Sequence, residues 1–267
     1  MEYEKLLYSV NDGLCTIRLN QPDKLNALSL QSWRELAAAF TAAQADNAVC
    51  AVLLCAEGKA FSSGFDMDDS LHMNNATQWE QWQFVQEERD CAKRIWEIRK
   101  PILAAVQGFC LGSGFELSLL ADLVIAADDA RFGETELRFS TIPQPTLMYL
   151  IGARRAKEFF MLADRMNAED ALRVGIVNRV VPLGELEKES VHTAMRLARM
   201  PTETMQLTKR LANRIMDAQG FGLFTDWDFD LLHITRNMPT AVSTEFEHIS
   251  KEQGMKAALA WMNERFK

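Results

Sequence analysis

Apolar and polar positions alternate through residues 6–19 and break at Asn11-Asp12-Gly13, so the chain is expected to open as a two-stranded hairpin with a tight turn. From Ser29 the period lengthens, and Trp33, Leu36, Ala37, Phe40 and Ala43 recur at helical spacing. Three short apolar runs follow: Ala51-Val52-Leu53-Leu54, Ile102-Leu103-Ala104-Ala105-Val106 behind Pro101, and Leu123-Val124-Ile125-Ala126. Runs with no polar alternation fit strands covered on both faces, and their placement between helical stretches predicts α/β layering with a largely parallel sheet. Beyond about residue 185 no strand pattern remains. Met205, Leu207, Leu211 and Ile215 predict an amphipathic helix, Leu223 to Ile234 another, and Met255 to Phe266 a last one. Apolar helical faces of this kind must cover the chain's own core or a neighbouring subunit, so an oligomer is expected.

Length changes this picture little. The 267 residues fit one large domain, or one with an appendage, at a prior of ~150 residues per domain. The division expected is a core over residues 1–190 and a helical region over 191–267 that serves assembly. The net charge of −8 does alter the range of partners, because phosphate backbones and anionic lipid attract clustered Lys and Arg. Neither nucleic acid nor a membrane is an expected partner. Cys15, Cys50, Cys55, Cys91 and Cys110 are odd in number, sit mostly in apolar runs and lack paired zinc spacing, so they read as reduced core residues of a cytoplasmic protein. The acidic start, Met1-Glu2-Tyr3-Glu4-Lys5, does not resemble a secretion signal, and no apolar run approaches ~20 residues.

Two glycine-bearing segments could carry chemistry. Ala60-Phe61-Ser62-Ser63-Gly64-Phe65-Asp66 follows the strand at 51–55, where a glycine lets the backbone turn and aim the next N–H into a cleft. Taken alone it reads better as a turn with a polar cap. Gly108-Phe109-Cys110-Leu111-Gly112-Ser113-Gly114-Phe115-Glu116 follows another strand and opens an apolar helix, whose N-terminal N–H groups could hold an oxyanion. It is not a dinucleotide fingerprint, since Leu117 stands where the third glycine would be. Nor is Ser113 a hydrolase nucleophile, because Leu111 replaces the first glycine of the elbow. Glu116, in the first helical turn, could be no more than a carboxylate favoured by the dipole. Glu136, twenty residues on in Arg131-Phe132-Gly133-Glu134-Thr135-Glu136, changes the balance. A chain leaving by one strand end and returning near the next can bring both carboxyls to one water, and in a partly dry pocket one would serve as base and the other as acid.

Lys100-Pro101-Ile102, Gly112 through Leu117, Ala121-Asp122 and Ile142-Pro143 together resemble the core signature of the enoyl-CoA hydratases of the crotonase superfamily, including the separation of their two catalytic glutamates. Asn20 through Leu28, Phe61 to Asp66, and Asn167-Ala168-Glu169-Asp170-Ala171 through Asn178 fit in order and approximate spacing, so the resemblance covers almost the whole chain. It implies an α/β fold, a crotonase-like spiral of ββα units with a C-terminal helical region. It implies an acyl-CoA thioester as partner, coenzyme A entering only as part of the substrate, no metal or other cofactor, and a homotrimer or a dimer of trimers. The resemblance assigns the thioester oxygen to the N–H groups of Phe65 and Ser113. It assigns Glu136 as proton donor to the α-carbon and Glu116 as activator of water for the β-carbon. Lys24 and Ala27 are placed at the CoA adenine, with Asn26 bracing that loop, and Ser63, Gly64, Asp66, Gly112 and Gln144 are placed along the substrate.

Three departures bear on chemistry. Ser113 stands where the family usually has glycine or alanine, Gln144-Pro145 replaces a glycine-rich turn beside the acyl group, and Glu134 is an extra carboxylate that either faces solvent or perturbs the site. Trp79, Trp82 and Phe84 lie where the family has a variable lid, although ordinary helix packing accounts for them better. His72, His192, His233 and His248 show no metal spacing. The expected activity is addition of water to a 2-enoyl-CoA, giving a 3-hydroxyacyl-CoA. Double-bond isomerisation, thioester hydrolysis or carbon–carbon cleavage would use the same oxyanion hole, and an inactive acyl-CoA-binding paralogue is the reading from a different class.

Overall fold

The computed structural model describes residues 3–69, 76–139, 141–142 and 146–266, with 222–229 as backbone only. Strands β1 (Leu6–Asn11) and β2 (Leu14–Leu19) pair antiparallel, Leu6 opposite Leu19. Asp12 and Gly13 both take positive φ, 48° and 84°, the two-residue turn whose twist matches the strands it joins. Helix α1 (Leu30–Ala45) starts where Ser29 accepts the Ser32 N–H and Ser32 answers, and it buries Trp33, Leu36, Ala37, Phe40 and Ala43, the periodic set of the sequence.

β3 (Ala51–Ala56), β4 (Ile102–Val106), β6 (Leu123–Ala127) and β9 (Arg179–Val181) complete a six-stranded sheet of order β1-β2-β3-β4-β6-β9, parallel from β2 onward. The unbroken apolar runs are explained by a sheet buried on both faces. Cys15, Ile17, Val52, Leu54, Ile102, Ala104, Val106, Val124 and Ala126 point into the main core. Their alternates Leu14, Ala51, Leu53, Leu103, Ala105 and Ile125 meet Leu186 and Ala194 of α7 (Leu186–Ala198). The division expected at residue 190 therefore cuts through a helix that belongs with the sheet.

A second sheet of order β5-β7-β8 is made by β5 (Phe109–Leu111), β7 (Arg131–Gly133) and β8 (Met166–Asn167), and single parallel bridges join Leu28 to Phe65 and Ser62 to Cys110. A strand of the large sheet, then a short strand of the second, then a helix is the recurring unit. It is clearest in β4–β5–α3, with α3 at Ser113–Leu119. The sequence expectation of a glycine-rich turn leading straight into a helix is corrected here, because β5 intervenes between Gly108 and Gly112. The ββα spiral itself is as expected.

α2 (Gln78–Trp96) begins at a Thr77–Glu80 capping box and lays Phe84, Val85, Glu88, Cys91 and Ile95 inward. α4 (Thr146–Ile151), α5 (Ala153–Leu162) and α6 (Ala168–Val174) precede β9. The C-terminal region is α8 (Thr202–Ala218), α9 (Phe221–Arg236), α10 (Ala241–Gln253) and α11 (Met255–Glu264). Within α8 the buried side chain is Lys209, which pairs with Asp122 Oδ2 at 2.8 Å and donates to the Lys100 carbonyl at 3.1 Å. Leu207, Leu211 and Ile215 are instead more than half exposed. The apolar face of α8 is thus left uncovered by this chain. Among the described residues no helix is long and apolar enough to cross a membrane.

Candidate active site

The site grows from three passes of backbone. In the first, Leu25 and Asn26 take positive φ (52° and 53°) after the turn Pro22–Lys24. That conformation is held by Asn26, whose Oδ1 accepts the Gln21 N–H at 2.8 Å while Nδ2 donates to the Glu57 and Ala60 carbonyls at 2.8 and 2.9 Å. The Leu28 N–H donates to the Gly64 carbonyl at 2.8 Å, and the Asp66 N–H donates to the Leu28 carbonyl at 3.0 Å. An extended chain points successive N–H groups to opposite sides, so bonds at 64 and 66 turn the Phe65 N–H the other way.

In the second pass, the Ser62 N–H reaches the Phe109 carbonyl at 2.9 Å and the Leu111 N–H returns to the Ser62 carbonyl at 3.1 Å. The approach is close enough to require glycine. At Gly64, φ 101°, an added Cβ would stand 3.0 Å from the Leu111 carbonyl oxygen and 3.7 Å from Gly112 Cα, and at Gly114 it would overlap the Ser62 side chain. Residues 64–65 and 112–113 therefore run side by side. α3 opens at Gly112 (φ 48°, ψ −128°) with no side-chain cap, and its first internal bond is from the Glu116 N–H to the Gly112 carbonyl at 2.9 Å. The Ser113 N–H belongs to the first turn, whose donors have no partner within the helix. The backbones at Phe65 and Ser113 are thus neighbours across this close approach.

The third pass carries the carboxyls. Leu111 is registered against Gly133, and the Gly112 N–H donates to the Gly133 carbonyl at 2.8 Å, so the positions following each strand emerge together. Glu136 begins a short 3-10 turn and folds its carboxyl directly over Gly112: a Cβ there would overlap Oε1 and lie 2.9 Å from Cδ. Glu116 is half-buried in the first turn of α3. Glu134, the extra carboxylate, is 1% exposed, which removes the solvent-facing alternative. Burial first, then the charges of Glu136 and Glu116, push the Glu134 carboxyl well above the usual range. The two glutamates twenty positions apart in sequence thus act on one common neighbour. Burial also raises Glu136, against a lowering hydrogen bond from Glu134 and the positive charge of Arg236, with Glu88 pushing upward.

Glu88 and Arg236 escaped the sequence reading, since they come from distant helices and carry no motif. Arg236 in α9 pairs with the buried Glu88 of α2 at 3.3 Å and lies 4.8 Å from the Phe65 ring centroid, while Phe84 meets the same ring edge-on with centroids 5.9 Å apart. Trp79 and Trp82 stack on each other at 4.9 Å, and Trp79 is 63% exposed, so ordinary core packing is not its role. At the other side of the site, Lys24 Nζ is shared by Asp66 (3.4 Å) and Asp68 (2.6 Å), and the Ser63 N–H donates to the Leu25 carbonyl at 2.9 Å. The Ala27 N–H is taken up within the loop by the Lys24 carbonyl at 3.2 Å. Gln144, expected beside the acyl group, and His72 lie outside the described residues. Among the described residues no group of His, Cys, Asp or Glu is arranged to hold a metal ion.

Comparison with known proteins agrees with this geometry. The model of the enoyl-CoA hydratase/isomerase family matches residues 9–227. A probable enoyl-CoA hydratase of Rhizobium meliloti is 32% identical over 221 residues, covering 81% of this chain and 84% of its own length. A crotonyl-CoA hydratase of Syntrophomonas wolfei is 32% identical over 238 residues, covering 84% and 90%. The crystal structure of an enoyl-CoA hydratase/isomerase from Xanthobacter autotrophicus Py2 superposes over 100% of both chains with a TM-score of 0.95 at 34% identity. With the family model matched from residue 9 to 227, a shared fold, and relatives above 30% identity along most of its length, the chain belongs to the enoyl-CoA hydratase/isomerase family.

Proposed function

We propose that this protein adds water across the double bond of a 2-enoyl-CoA, giving a 3-hydroxyacyl-CoA. The observation that carries the reading is the Glu136 carboxyl folded over Gly112, beside the first N–H of α3 and on the same buried cluster as Glu116. Attack at the β-carbon moves negative charge onto the thioester oxygen. The N–H groups of Phe65 and Ser113 fit that oxygen, and because the charge appears only as the reaction proceeds, they stabilise the transition state more than the ground state. One such donor is worth about 3–4 kcal/mol. Glu116 takes a proton from water as its oxygen bonds to the β-carbon, and Glu136 gives a proton to the α-carbon. The sum is one water added. Burial raises Glu136, the direction a proton donor requires.

The braced loop at Lys24 and Ala27 is the proposed seat of the CoA adenine, with Ser63, Gly64, Asp66 and Gly112 lining the path to the thioester. The exposed row Leu207, Leu211 and Ile215 supports assembly into a homotrimer or a dimer of trimers, in which a second copy covers α8. Light scattering reads the assembly directly. The test of function is the loss of conjugated absorbance from crotonyl-CoA and from a longer or aromatic enoyl-CoA, in wild type and in Glu116→Gln and Glu136→Gln. Each variant should lose at least about a hundredfold in kcat with thioester affinity retained. Wild-type protein leaving every enoyl-CoA unchanged refutes hydration, and loss in Glu136→Gln alone indicates a single-carboxylate isomerase.

A further inference from the structure

Glu134 has no task in the hydration scheme, yet it occupies the driest position of the carboxyl cluster. Strand alternation through β7 puts it on the side of Phe132, whose ring packs on Phe115 of α3 with centroids 5.7 Å apart. Its position therefore shares the face of β7 that packs on α3. Both its oxygens are closed to solvent and, among the described residues, receive no N–H or hydroxyl, and neither does Glu136 Oε2; the hydrogen bond left to Glu134 is the one it shares with the Glu136 carboxyl. A buried carboxyl in this condition is expensive unless it gains something from its neighbours.

The groups that face it are known. Glu136 approaches from the turn after β7, Glu116 from α3, and Cys110 from β5, a thiol that burial pushes up and keeps neutral. None is a cation. Arg165 packs its stem 3.4 Å from where a Gly133 Cβ would be, and its guanidinium is turned away over the Phe109 ring. Glu136 in turn faces Glu88 of α2 and Arg236 of α9. Ringed by two carboxyls and a thiol, Glu134 keeps its proton, and a neutral carboxyl has one O–H to give. The acceptor that gains from it is Glu136, the group aimed across Gly112.

We propose that Glu134 is a positioning residue of the site, a buried carboxylic acid that presents its O–H to Glu136, steadies that carboxyl over Gly112, and disables the site on ionising. The kinetic consequence rests on the hydratase reading; the coupling between the two carboxyls does not. Two variants separate the possibilities. Glu134→Gln keeps a planar neutral group that can still donate, whereas Glu134→Met keeps volume without a donor. At pH 7, Glu134→Gln should retain kcat within about threefold, while Glu134→Met should fall at least about tenfold with KM little changed. The alkaline limb of the wild-type pH profile should move up or vanish in Glu134→Gln, since no ionisable group remains there. Independently of turnover, carbon-13 titration of side-chain carboxyls in Glu-labelled protein should show Glu136, identified by its absence in Glu136→Gln, titrating higher in Glu134→Met than in wild type or Glu134→Gln. The proposal is overturned if Glu136 titrates alike in all three, if Glu134→Gln is as slow as Glu134→Met, or if the alkaline limbs of wild type and Glu134→Gln coincide. Should Glu134→Met not fold, the comparison of those two limbs still decides. A wild-type protein without turnover rejects hydration, and the titration then decides the coupling alone.

Discussion

Replacing Gly112 by alanine is the sharpest perturbation the site offers. The new methyl would overlap Glu136 Oε1 and stand 2.9 Å from Cδ, where carbon atoms settle at ~3.5–4.0 Å, so the carboxyl must retreat by roughly 1 Å or more. Misplacement of that size costs about a hundredfold in rate, equivalent to ~2.7 kcal/mol. A second effect is separable. Gly112 sits at φ 48° and ψ −128°, a conformation side chains avoid, and the strain should remove about 1–3 kcal/mol of stability. Gly152 provides the control: it too has positive φ (80°), but its Cβ would meet nothing within 4 Å. Gly152→Ala should therefore lose stability in thermal unfolding and keep its kcat on crotonyl-CoA, whereas Gly112→Ala should lose both, with KM rising little. Retention of wild-type kcat within about threefold in Gly112→Ala, or an equal kcat loss in Gly152→Ala, refutes the placement of Glu136 as the reacting carboxyl.

Asn26→Ala leaves the buried Ala60 carbonyl, the Glu57 carbonyl and the Gln21 N–H without their partner and should cost on the order of 2–3 kcal/mol, raising KM for CoA thioesters more than it lowers kcat. Lys209→Met removes the ion pair to Asp122, which still accepts the Ile102 N–H at 2.7 Å, so urea unfolding should show a loss of about 1–3 kcal/mol with kcat unchanged. Stability should also depend on Glu134. Its folded value lies above the unfolded one of ~4.3, so its contribution is complete below that pH and is lost as pH rises toward the folded value, by ~1.4 kcal/mol per unit. Urea midpoints measured from pH 5 to 8 should therefore decline less steeply in Glu134→Gln than in wild type, and parallel slopes refute the sign.

Much of the fold was legible because local rules and burial agree. The Asp12-Gly13 turn, the Ser29 cap and the double-sided apolar runs each have one reading, and each strand stands where its run does. What was hidden depends on faces. β5 is three residues inside a glycine-rich segment, too short for a period, and its existence follows from pairing with β7. Leu207, Leu211 and Ile215 have helical spacing, but spacing cannot say whether the stripe meets this chain, and here Lys209 faces inward instead. For the site, the twenty-residue separation of Glu116 and Glu136 became meaningful through the Leu111–Gly133 register, which sequence suggested without fixing. The burial of Glu134 could not be read, since β7 is only three residues long and carries no period from which the face of the next residue could be told. Arg236 and Glu88 were invisible because their partners are 148 positions apart.

The donor proposed at Phe65 is part of the main chain, so no substitution other than proline can delete it; it can only be misdirected. Backbone bonds at 64 and 66 turn it, and the ring on the same residue is held against Phe84 and the guanidinium of Arg236, itself tethered by Glu88. Helices α2 and α9 therefore brace a residue that belongs to a loop far earlier in the chain than α9. Damage at the C-terminal end would be felt as a blunted reaction before it was felt as a collapse of the sheet.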